Sequence, residues 1–107
     1  MFPSFQTNLA GVTFGRCQKA INKWGHQDIG YFSPEREPEN PHDPNAIGVW
    51  FLNYRLGYLQ KPVAEKLAPL MDAGTKLTAR FIRRNQFSHD SILGLTVEIV
   101  EDAPARR

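Results

Sequence analysis

The sequence predicts an α+β fold, mostly β, in which about six short strands form a small barrel with one main and one minor helix. Three observations carry that expectation. Short apolar runs with period-two alternation recur along the chain, separated by clusters of Gly, Pro, Asn and Asp. Helical spacing occurs in two places only, one short and one long. The order is strand, helix, three strands, helix, two strands, which suits an OB-like or SH3-like barrel better than a parallel α/β sheet.

Each element has its own reason. Leu9–Arg16 has strand character around Val12, Thr13 and Phe14. Cys17, Ala20, Ile21 and Trp24 then fall at i, i+3, i+4 and i+7, one face of a short helix that Gly25 stops. Asp28–Arg36 alternates and reads as a strand, with Pro34 demoting its end to an edge or bulge. Glu37–Pro44 holds three prolines and is a loop. Ala46–Leu52 is β-branched, aromatic and nearly all apolar, the signature of a core strand. A tight turn at Asn53-Tyr54-Arg55 leads to a returning strand, Leu56–Gln60.

Pro62 suits the first position of the main helix, Pro62–Ala73, whose apolar stripe is Val63, Leu67, Leu70 and Met71. Pro69 removes one backbone bond inside it, so a kink or a shortened helix is expected, and Gly74 ends it. Lys76–Arg84 turns Leu77, Ala79 and Phe81 inward against Thr78 and Arg80. Asn85–Ser91 is a polar hairpin loop. Ile92–Glu101 repeats the alternation with Leu93, Leu95, Val97 and Ile99. Asp102–Arg107 is a frayed tail. The expectation is a single domain over residues 1–107, its core at about 9–101, with short flexible termini.

Composition narrows the function classes. A hydrophobic fraction of 41% and a charged fraction of 22% argue against disorder. The lone Cys17 allows neither an internal disulfide nor a multi-thiolate zinc site. No signal peptide or apolar span is visible, so a soluble, cytoplasmic protein without membrane attachment is expected. The histidines, His26, His42 and His89, lack metal-ligand spacing, and Ser88-His89-Asp90 are consecutive on one loop, where a catalytic triad cannot assemble. With no phosphate-binding lysine loop either, the chain reads as a non-enzyme without cofactor or metal.

Net charge is only +2, but its distribution is uneven: residues 1–53 carry −1 and residues 54–107 carry +3. Lys76, Arg80, Arg83 and Arg84 lie close together. They are either guards on a strand edge or a phosphate-facing patch. The loop Arg36–Ile47 is the most unusual segment. Pro38, Pro41 and Pro44 stiffen it, and Asn40, His42, Asp43 and Asn45 crowd it with hydrogen-bonding groups. It is either a structural turn before a core strand or a preformed binding wall.

The run REPENPHDPNAIGVW followed by LGYLQKPVAEKLAPLMDAG resembles the hallmark of HIRAN domains, and LAGVTFGR resembles the family's opening strand. The resemblance implies an OB-like barrel that captures the 3′ end of single-stranded DNA, in DNA repair or stalled-fork processing. It implies that Thr13 and Phe14 flank the terminal bases, that Asn40, His42 and Asp43 line the pocket, and that Tyr58 and Lys61 lie nearest the phosphate. Arg80, Arg83 and Arg84 would be a further phosphate patch. Any helicase or nuclease activity would come from a partner or a fused domain. His42 stands where the family often has an aromatic and Thr13 where it often has a cation; both departures predict weaker binding. The alternative is a protein-interaction module on the same barrel, using Tyr31, Phe32 and Trp50 as exposed aromatics.

Overall fold

The computed structural model describes residues 2–86 and 91–102. Among them run β1 (Phe5–Asn8), α1 (Cys17–Trp24), β2 (Tyr31–Arg36), β3 (Ile47–Phe51), β4 (Tyr54–Tyr58), α2 (Lys61–Asp72), β5 (Leu77–Gln86) and β6 (Leu93–Glu101). The six strands form one antiparallel sheet in the order β1-β6-β5-β2-β3-β4. The sheet curls into an OB-like half-barrel. Its two edges are tied at one point. Ala10, just past β1, exchanges backbone hydrogen bonds with Tyr58 of β4 at 2.8 and 2.9 Å. That bridge satisfies part of two exposed edges at once, which is how small sheets avoid open edges.

The concave face is filled by Ile47, Val49, Leu56, Leu95, Val97 and Ile99, all fully buried. Ile21 of α1 closes the same core, and α2 adds Ala64, Leu67 and Ala68. The expected α2 stripe is therefore shifted: Leu70 points outward and the small alanines face the sheet. Pro69 neither stops nor shortens α2, which continues to Asp72.

Three expectations need correction. Leu9–Arg16 is not a strand, and the first strand lies earlier, at Phe5–Asn8. Gly11 (φ +62°) and Gly15 (φ +52°) adopt the left-handed region and turn the chain twice. Short turn bonds, Phe14 N–H to Gly11 O and Cys17 N–H to Phe14 O, replace ladder pairing. Two glycines in that region override the strand propensity of Val12-Thr13-Phe14. The β3–β4 hairpin turns at Leu52-Asn53, so Tyr54 and Arg55 already belong to β4. Strand β5 runs on to Gln86, so Asn85 and Gln86 are paired with Gly94 and Leu93 rather than looped. Ser88, His89 and Asp90, with the tail beyond Asp102, lie outside the described residues.

Candidate nucleic-acid interface

A cleft of about 610 Å³ opens where the chain after β1 crosses β4. Its walls include Gly11 and Phe14 from the glycine turn and Asn40, His42 and Asp43 from the proline loop. Arg55 and Tyr58 come from β4, and Lys61 from the start of α2. Six of the seven residues expected to contact DNA therefore lie along one concavity. Thr13 does not; it is exposed on the same turn, outside the lining.

Local chemistry explains each position. Asn40 Oδ1 accepts the backbone N–H groups of His42 (2.8 Å) and Asp43 (3.2 Å), which folds the loop over its own side chain. Asp43 Oδ1 accepts the N–H of Asn45 at 2.9 Å. Its second oxygen makes no hydrogen bond to a described residue, and the side chain borders the cleft. The loop is thus a structural turn whose Asn40, His42 and Asp43 also border the cleft. Phe14 is 60% exposed at the rim.

Glu37 is the hub beneath this surface. Its Oε1 accepts from the Tyr58 hydroxyl (3.0 Å) and from Asn40 Nδ2 (3.2 Å), and Oε2 lies 3.8 Å from Arg55 Nη1. The Arg55 guanidinium sits over the Tyr58 ring at 4.8 Å and near the Trp50 ring at 5.8 Å. Burial, then the hydrogen bond to Glu37, pushes the Tyr58 phenol above its ordinary pKa, so it stays a donor at physiological pH. Sequence reading missed Arg55 and Glu37. The signal was slight: a cation in the hairpin and an acid in the loop, with Trp50 and Tyr58 five and three residues from Arg55.

Gly11 is a steric requirement of the cleft. A Cβ there would lie 3.0 Å from the Phe14 ring and 3.1 Å from the Tyr58 ring, at a φ that L residues rarely adopt. Gly11→Ala is expected to cost about 1–2 kcal/mol and to weaken binding in the cleft. Urea unfolding and a ligand titration measure the two effects; unchanged stability would mean that the turn tolerates a side chain.

The arginine patch lies elsewhere. Arg80 pairs with Glu98, Arg83 bonds Asn85 Oδ1 (2.8 Å) and Arg84 bonds the Asn22 carbonyl (3.3 Å). None lines the cleft. The β5–β6 pairing shifts register here, between Phe81 and Arg83. Phe32 is buried at 3% exposure, so only Tyr31 and half-buried Trp50 remain as surface aromatics of that group. Among the described residues no group of three or more His, Cys, Asp or Glu could hold a metal ion, and no helix is long and apolar enough to cross a membrane.

Comparison with known proteins agrees with this architecture. A protein from Lactobacillus plantarum of known crystal structure is similar, with 24% identity, a TM-score of 0.66, and coverage of 91% of this chain and 92% of that one. The HIRAN domain of human HLTF is also similar, with 21% identity, a TM-score of 0.56, and coverage of 90% and 74%. No curated protein matches. The family model for the HIRAN domain matches residues 4–99, nearly the whole length, with the glycine turn, the proline loop and the β4–α2 junction inside it, and the chain belongs to the HIRAN domain family.

Proposed function

We infer that this domain binds the 3′ end of single-stranded DNA and that Asp43 selects for a terminal hydroxyl. HIRAN domains are DNA-binding modules rather than catalysts. The single observation behind the finer reading is the meeting of Phe14, Asp43, Tyr58 and Lys61 along one cleft, with one Asp43 oxygen making no hydrogen bond to a described residue. A carboxylate only accepts hydrogen bonds, so a free 3′-hydroxyl is a suitable donor to it. A continuing strand would bring a phosphate to the same point, removing the donor and setting like charges together. Phe14 offers a face for a base, and Lys61 a charge for a phosphate. The domain would serve DNA repair or fork processing by delivering a helicase or nuclease partner to an end.

The test is fluorescence anisotropy with 5′-labelled oligonucleotides bearing either a free or a phosphorylated 3′ end. Preference for the free hydroxyl is expected. Equal affinity for the two removes end capture, and no binding to any nucleic acid at low salt favours an interaction module instead.

A further inference from the structure

A second concavity of about 490 Å³ adjoins the cleft. Helix α1 and the β3–β4 hairpin form it, and Arg16, Lys19, Lys23, Trp50, Tyr54 and Arg55 line much of it. Two features join it to the first. Arg55 lines both, and Phe14 at the rim of the cleft leads through Gly15 directly to Arg16. Helix α1 carries no acidic residue. Arg16, Lys19 and Lys23 are exposed and form no ion pair with a described residue. Lys23 rests near the Trp24 ring at 5.1 Å, and Trp24 packs on Tyr54 at 5.5 Å, so an aromatic bed lies beside the cations. Lys19 and Lys23 are one helical turn apart, about 6 Å along the axis.

We propose that this groove carries the nucleotides immediately 5′ of the captured end, with Arg55 at the junction and Arg16, Lys19 and Lys23 along the backbone phosphates. The proposal deepens the end-capture reading and rests on it. Charge decides the direction. Another concavity that also shares Arg55 and Tyr58 with the cleft is lined by Glu37 and Glu39, which repel phosphate. The arginines of β5 are engaged by Glu98, by Asn85 and by the Asn22 carbonyl of α1, and they lie outside both concavities. The α1 side adjoins the cleft through Arg55 and joins three cations without an ion pair among the described residues to aromatic faces, the combination that tracks single strands. The groove also supplies cations where Thr13 supplies none.

The test compares wild type with Lys19→Gln/Lys23→Gln. Anisotropy is read on a 5′-labelled twelve-nucleotide oligothymidylate, with an unlabelled three-nucleotide oligothymidylate as competitor, across a salt series. Both lysines are exposed, and a thermal melt checks that the variant folds. The wild type is expected to bind the longer strand more tightly. The double variant is expected to lose that gain and to flatten the slope of log affinity against log salt by about 1.4, from two contacts at about 0.7 each. Its affinity for the three-nucleotide strand and its preference for a free 3′ end are expected to persist. An unchanged length gain and slope overturn the groove and leave end capture standing. Equal wild-type affinity for free and phosphorylated ends overturns end capture, and with it this path, whatever the slope.

Discussion

Asp43→Asn is expected to abolish the distinction between a free and a phosphorylated 3′ end and to weaken binding of the free end by roughly ten- to a hundredfold. The substitution separates chemistry from architecture. Asp43 Oδ1 accepts the Asn45 N–H at 2.9 Å, and asparagine offers the same amide oxygen to the same donor. The proline loop should therefore keep its shape, and Asn40 should continue to hold the backbone of His42 and Asp43. What changes is the charge and the second oxygen. A hydrogen bond to a charged group is worth about 1.5–3 kcal/mol, which sets the expected loss. The new amide N–H₂ donates, so a terminal phosphate that Asp43 repels would find a partner. Affinity for the phosphorylated end should rise while affinity for the hydroxyl end falls. Anisotropy on the two oligonucleotides reads both movements. If both ends weaken equally, Asp43 acts on the loop alone.

How much of this was legible beforehand follows from which interactions are local. Helix α1 was, because Cys17, Ala20, Ile21 and Trp24 mark one helical face, and three of them are buried. Strand β6 was, because Leu95, Val97 and Ile99 alternate into the core. Strand β1 was not. Phe5–Asn8 is short and has one apolar residue in four, and it becomes a strand only by pairing with Thr96–Ile99, some ninety residues later. The segment after it misled for the opposite reason. Val12-Thr13-Phe14 has strand composition, yet Gly11 and Gly15 turn the chain so that Phe14 reaches the cleft rim. The proline loop stood out by composition, and family resemblance supplied the roles of Asn40, His42 and Asp43. Arg55 and Glu37 could not be found that way. Each is an ordinary surface residue type, and their roles arise from a loop, a hairpin and two aromatic rings meeting in space.

Glu37→Ala should then be the most damaging single change among the polar residues around the cleft. It removes the acceptor for the Tyr58 hydroxyl and for Asn40 Nδ2, and the counter-charge 3.8 Å from Arg55. Arg55, whose side chain is 30% exposed, would keep its charge with no acid facing it. Two bonds to a charged acceptor and one loose ion pair imply a loss of about 2–4 kcal/mol, or a fall in Tm of about 10–25 °C for a domain of this size. Glu37→Gln retains an acceptor and should cost much less, which separates the hydrogen bonds from the charge. The alkaline limb gives an independent readout. Burial and the bond to Glu37 hold the folded phenol of Tyr58 above its ordinary 10.0. Its contribution is therefore complete below that value and is lost as pH rises through the raised one. Without Glu37 the folded pKa moves down, and the extra loss of stability above pH 10 should shrink. A variant with wild-type melting and an unchanged alkaline limb would mean that Tyr58, Asn40 and Arg55 hold their places without Glu37. The cleft would then owe its shape to the proline loop and the Ala10–Tyr58 bridge alone.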